Sequence, residues 1–370
     1  MTSTPPGDLD SSSSQALHPA AREALLAALD AGYADPRRLH RSGRTARLLL
    51  DNARAATAEA LRCRPDEVTF TPSGTHAVHL GLLGLHVGSR GGTTIVHSAV
   101  EHSAVLHAAA WAERWAGASV RSVPVDHTGR IEPAALDTGG ASVVAVQSAN
   151  HEVGTLQPLD DLDLDGVPLF VDACASAGRL PLPDRYDAAA ASAHKWGGPA
   201  GLGVLVVRKG VRWRPPFPTD DRVDERSTGF ENVPAALAAA AALQAVVADR
   251  DLENARQNAL VERIRAAATA IPDVDVVGDP ERRIPHLVTF SCLYVDGEAL
   301  VTELDRLGFG VDSGSACTAS TLEPSHVLAA MGALTHGNVR VSVGPRTTEE
   351  QVTAFTEALP GVVERVRAAL

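Results

Sequence analysis

No two of the four cysteines, Cys63, Cys174, Cys292 and Cys317, are close enough to form a CxxC pair. That spacing gives no support to a disulfide framework, a thiolate zinc site or a dithiol redox centre, and a reducing compartment is the expectation. No window approaches the run of about 18 apolar residues that a membrane helix needs. The opening "MTSTPPGDLDSSSSQALHP" has no basic region leading into an apolar one. The expectation is a soluble, cytoplasmic protein without a membrane segment. There is no Lys/Arg run either, and 33 basic against 45 acidic residues leave a net charge of −12, which argues against direct nucleic-acid binding. His97, His102 and His107 stand five apart, off a common helical face, so no metal site is expected.

What is present points to an α/β protein. At 370 residues the chain is long enough for one large and one small domain. Short apolar runs alternate with Ala-rich helical stretches, the pattern of a mostly parallel sheet covered by helices. "TTIVH", "VRSVPVD", "SVVAVQSAN", "PLFVDACA" and "GVLVVRKG" read as its strands. The Ala-rich stretch from Glu231 to Ala270 reads as one long helical segment, with Pro234 suited to a first turn, carrying the chain between domains. "VDVVGD", "HLVTFSC" and "NVRVSVG" supply a smaller α+β unit, whose last helix opens at "TTEEQV" with Thr347 and Glu350 at capping-box spacing. The predicted boundaries are residues 16–250 for the large domain and 251–370, joined by 1–15, for the small one.

Two residues carry most of the chemistry. Asp172 follows three apolar residues at what should be the C-terminal end of a buried strand, where open α/β sheets bind ligands. Lys195 lies 23 positions on, about one crossover away, in a Gly-rich turn. Burial lowers a lysine pKa, as a Schiff-base lysine requires, and a buried carboxylate can hold a pyridine nitrogen protonated. The pair therefore points to pyridoxal phosphate, with a structural ion pair between strands as the plain alternative. "TPSGTHAVHL" reads as a strand end, a turn and a helix, placing the Gly74 and Thr75 amides where a phosphate would bind, or forming an ordinary N-cap. His102 lies just past another strand end, where its ring could lie on a cofactor or serve structure alone.

Taken in order, "EHSAVL", "NHEVG", "VDA", "SAHK", "ENVPA", "SGSACTASTLEPSHVL" and "VRVSVG" resemble the NifS/IscS-type, class I cysteine desulfurases. The resemblance covers nearly the whole chain and implies a fold-type I pyridoxal phosphate enzyme, a homodimer, that converts L-cysteine to L-alanine. Lys195 would hold the cofactor and move the substrate Cα proton. Asp172 would pair with the ring nitrogen, His102 stack on the ring and assist proton transfer, and Asn150 bond the ring's phenolic oxygen and help bind the substrate. Gly74, Thr75, Ser192 and His194 would hold the phosphate, and Arg340 the substrate α-carboxylate. Cys317, in a catalytic loop over 312–326, would take the sulfur as a persulfide and pass it to an acceptor protein. Such acceptors serve iron–sulfur cluster or thio-metabolite synthesis. The alternatives are a selenocysteine lyase or another C–S lyase on the same residues, and a non-catalytic partner of a sulfur-transfer assembly. Two departures stand out: Ala175 replaces a cofactor-bonding glutamine, and Phe230 a phosphate-reaching threonine. For Cys63 and Cys292 a structural role is expected.

Overall fold

The computed structural model describes residues 7–31, 34–220, 225–313 and 324–369. Its strands are β1 Gly7–Asp8, β2 Val68–Thr71, β3 Thr94–Ser98, β4 Ser119–Val123, β5 Ala141–Ala145, β6 Leu169–Asp172, β7 Ala188–Ser192, β8 Gly203–Val207, β9 Val274–Val277, β10 Leu287–Cys292, β11 Phe309–Gly310 and β12 Asn338–Ser342. Its helices are α1 Pro19–Asp30, α2 Arg41–Leu61, α3 Gly74–Gly88, α4 Ser103–Ala116, α5 Val233–Ala248, α6 Arg250–Thr269, α7 Gly297–Arg306, α8 His326–Met331 and α9 Glu349–Ala368.

The central sheet runs β2-β8-β7-β6-β5-β3-β4. It is parallel from β7 through to β4, and β8 pairs antiparallel with both β7 and β2. Both faces are covered, so its strands are apolar throughout and alternate residues serve opposite cores. Val143, Phe170, Ala188 and Leu205 pack against α3 and α4. Val144, Val171, Ala189 and Val204 pack on the other face, where α2 and α5 lie.

A second sheet, β12-β10-β9, is antiparallel and has one apolar face. Val288, Phe290, Val339 and Val341 bury that face against α6, α7 and α9, with Leu9 joining the same core. The alternation then turns Arg340 to the opposite face, and Asp10 bridges to Ser342 on the strand that carries it.

Two sequence expectations change, and one strand joins those read from the sequence. The Ala-rich segment is two helices, bent by 73° at Asp249. β7, "AAAAS", is not among the strands read from the sequence; flanked by β6 and β8, it is a strand because the sheet needs a narrow, fully buried member there. The last helix caps one residue later than expected, at Thr348 with Gln351, because the Thr347 hydroxyl already accepts the Gly344 amide.

Candidate active site

Parallel strands deliver their C-terminal ends to one edge, and here that edge carries the chemistry. Asp172 is the last residue of β6 and Ser192 the last of β7; a single 3₁₀ turn, Ala193–Lys195, then turns the lysine inward. Beside them α3 begins, capped by Ser73, whose hydroxyl accepts the His76 amide. The amides of Gly74 and Thr75, ahead of it, have no intrahelical acceptor by helix geometry. Gly74 lies so close to β7 that a Cβ there would stand 2.6 Å from Ser192 Cβ. The Ser192 hydroxyl is 3.0 Å from His194 Nδ1.

These groups surround a cavity of about 270 Å³, with Gly74, Thr75, Ser192 and His194 among its walls. His102, Asp172, Lys195 and Arg340 also line it. Asp172 is buried, and its Oδ1 accepts the Cys174 amide at 2.8 Å. Lys195 Nζ donates to the Ser12 carbonyl. Burial, with the charge of Arg340, lowers the lysine pKa, which raises the fraction of neutral amine.

His102 caps α4, its Nδ1 accepting the Ala104 amide at 3.1 Å, and meets His151 edge to face at 4.9 Å between ring centres. Burial lowers the pKa of both and puts His151 well below the usual range. Asn150 is completely buried behind this wall. Its Oδ1 accepts the Glu152 and Val153 amides and its Nδ2 donates to the Val100 carbonyl, fastening the turn that carries His151, and it is not among the residues lining the cavity.

Arg340 is the most crowded group. Its Nη2 reaches Asp312 at 2.5 Å, Ser13 at 2.8 Å and Asp10 at 3.3 Å, its Nη1 the His151 carbonyl at 3.2 Å, and its Nε has no partner among the described residues. Asp10, Ser12, Ser13 and Asp312 were not singled out from sequence; only the N-terminal segment's pairing with Ser342 brings the first three here. Cys174 also lines the cavity, where burial and then the Asp172 charge push its thiol well above the ordinary range, so it is no nucleophile at neutral pH. Ala175 lines the cavity as well, whereas Phe230 lies apart, on an open groove with residues of α1 and α2. Cys292 is buried in the small-sheet core and Cys63 packs on the large one. Cys317 lies outside the described residues, as do 314–323 with it.

Two further carboxylates support the walls. Glu152 accepts Ser325 Oγ at 2.5 Å, and burial raises its pKa to about 7. Glu101 accepts Ser98 Oγ at 2.6 Å and the Gln147 amide at 2.8 Å on one oxygen, while the other has no partner among the described residues; burial raises its pKa to about 8 from 4.5. Between those two values the folded chain keeps a proton that the unfolded chain has released, so this group makes stability fall as pH rises. Glu101→Gln, which cannot ionise, is expected to melt several degrees above the wild type at pH 8 and within about one degree of it at pH 5. Parallel melting curves that show no pH-dependent gap would refute the assignment.

An aspartate and a lysine at adjacent parallel strand ends, beside a helix N-terminus, on this sheet, define a fold-type I pyridoxal phosphate enzyme. The chain belongs to the aminotransferase class-V family, which it matches over residues 9–355, and within it to the cysteine desulfurases of the IscS/NifS kind. It is 35% identical over 382 residues to the IscS-like cysteine desulfurase of Mycobacterium tuberculosis, covering 98% of this chain and 97% of that one. To the cysteine desulfurase IscS of Dictyoglomus turgidum it is 31% identical, covering 97% and 95%. A solved NifS-like protein superposes with a TM-score of 0.88 at 25% identity, covering 97% of this chain and all of that one.

Proposed function

We propose that the protein is a cysteine desulfurase that binds pyridoxal phosphate, releases L-alanine from L-cysteine and passes the sulfur on from a persulfide on Cys317. The observation that carries this reading is the joining of Lys195, Asp172 and Arg340 around one cavity with the Gly74 cradle. The donor set fits the cofactor: two helix amides, the Thr75 and Ser192 hydroxyls and His194 suit a phosphate, and a buried carboxylate suits a protonated ring nitrogen. When bound, pyridoxal phosphate supplies an electron sink for bond changes at the substrate Cα.

This chain's own residues do the rest. Asp172 would hold a proton at the ring nitrogen of a bound cofactor, and His102, at the α4 cap, would stack on the ring and assist proton transfer. Lys195, its amine partly neutral through burial, takes the Cα proton and returns it there after the sulfur has left, and the proton given up by the Cys317 thiol goes to Cβ. Arg340 binds the α-carboxylate, and Asn150 acts from behind by fixing the His151 turn. The Cys317 thiolate attacks the substrate Sγ; the new S–S bond forms as the Cβ–S bond breaks, and the electron pair left on Cβ takes a proton, giving alanine.

Separate cores for the two sheets support dividing the chain near residue 250, with residues 1–15 joined to the second unit. A cytoplasmic homodimer fits the exposed Leu26 and Leu29 of α1 and Leu48 of α2, and the exposed Phe230 in a groove lined by other residues of the same two helices. The acceptor is a protein drawing on persulfide sulfur, for iron–sulfur or thio-metabolite synthesis. The test is to incubate the cofactor-loaded protein with L-cysteine, measure alanine, and map added sulfur by peptide mass spectrometry. Alanine with one sulfur on the Cys317 peptide is the expected result; elemental or free sulfide release with an unmodified Cys317 would move the reading to a lyase.

A further inference from the structure

Arg340 carries two carboxylates and a hydroxyl on a single nitrogen, in a pocket where one incoming carboxylate is to be bound. Asp312 is the nearer of the two acids at 2.5 Å, and its side chain is 13% exposed against 7% for Arg340. It is also the cross-strand partner of Arg340: the Arg340 amide donates to the Asp312 carbonyl at 2.7 Å, and the Asp312 amide to the Arg340 carbonyl at 3.2 Å. Asp10 stands at 3.3 Å and is 29% exposed, so water shares its charge. One guanidinium thus faces two acid side chains before any ligand arrives.

We propose that Asp312 sets the strength and selectivity of the carboxylate clamp, its side chain occupying Arg340 Nη2 so that an amino acid gains a two-point grip only by displacing or opposing it. This rests on the reading of Arg340 as the α-carboxylate site. The physical argument is charge density: Asp312, Asp10 and a ligand carboxylate together place three negative groups on one cation. In a largely desolvated pocket such like charges repel strongly. Burial, opposed by Arg340, holds the Asp312 carboxyl above its ordinary range, in keeping with a charge the pocket tolerates poorly. The consequence for the reaction is a loose hold on carboxylates, which favours departure of alanine after sulfur transfer at the expense of affinity for cysteine.

The test uses the cofactor-loaded protein and isothermal titration with L-alanine, and with ethylamine as an amine lacking the carboxylate. Asp312→Asn keeps shape and an acceptor while removing the charge, and is expected to bind L-alanine about tenfold more tightly, with ethylamine unchanged. Its KM for L-cysteine should fall by a similar factor, while kcat stays level or drops as product release slows. Asp10→Asn is expected to change alanine affinity by less than about threefold, because its charge is already hydrated. Asp312→Ser, checked for cofactor content and melting temperature, repeats the measurement if the asparagine variant folds poorly. Unchanged or weaker alanine binding in both Asp312 variants, an equal gain for ethylamine, or a larger gain from Asp10→Asn would overturn the proposal. Failure of the wild type to turn over L-cysteine would remove the desulfurase reading, and the alanine titration would still decide the role of Asp312.

Discussion

Lys195→Ala is expected to lower alanine formation from L-cysteine by a factor on the order of 10²–10⁴, the range of a lost positioned proton carrier, and to abolish covalent retention of the cofactor. The lysine is half-buried in the cavity wall with its amine on the Ser12 carbonyl, and desolvation and Arg340 both depress its pKa. A side chain in this setting has two jobs that alanine cannot perform: bonding to the cofactor aldehyde and moving a proton at Cα. Lys195→Arg separates those jobs from mere positive charge, since a guanidinium stays protonated. It should be as inactive as the alanine variant. Borohydride treatment followed by peptide mapping should fix the cofactor to Lys195 in the wild type and to nothing in either variant. Substantial turnover in Lys195→Arg would show that the charge alone suffices, and the assignment would fall.

Gly74→Ala should weaken cofactor binding by about ten- to a hundredfold, corresponding to the ~1–3 kcal/mol that overpacking costs. The new Cβ would stand 2.6 Å from Ser192 Cβ, 2.7 Å from its Oγ and 3.2 Å from Cys174 Sγ, where carbon contacts normally begin near 3.5 Å. Neither neighbour can yield cheaply. Ser192 ends a strand buried between β6 and β8, so the start of α3 must move instead. That movement withdraws the Gly74 and Thr75 amides and disturbs the Ser192–His194 contact together. Titration of cofactor-free protein with pyridoxal phosphate, followed by absorbance, gives the measurement. Affinity within about twofold of the wild type would mean that the phosphate sits elsewhere.

Much of the large sheet is legible because both of its faces are buried: runs such as "GVLVV" have no polar residue to confuse the period. "VRVS" is legible in another way, since alternation alone sends Arg340 away from the core that takes Val339 and Val341. β7 is not legible, because five residues of alanine and serine favour a helix in isolation and become a strand only through β6 and β8. The break at Asp249 is hidden for the opposite reason: helix formers stand on both sides, and the 73° bend belongs to what each half packs on. At the site, the motif residues lining the cavity were marked by turns and strand ends. The company of Arg340 was not, because no local pattern ties Asp10, Ser13 and Asp312 to a strand so far along the chain. Asn150 shows the same limit, its amide consumed by a turn whose geometry only the fold specifies.

The N-terminal segment pairs with the last strand among the described residues, the Ser12 amide bonding Ser342 Oγ across 330 residues. Lys195 and Arg340 each take a contact from that same segment. During synthesis, then, the first dozen residues leave the ribosome long before their partners exist, and the large sheet can form while its lysine still lacks the Ser12 carbonyl. Closing so long a loop is slow and comes late. Competence for chemistry should therefore lag behind the appearance of native secondary structure in refolding. Deleting residues 7–13 should leave a folded large sheet that has lost its finished cavity.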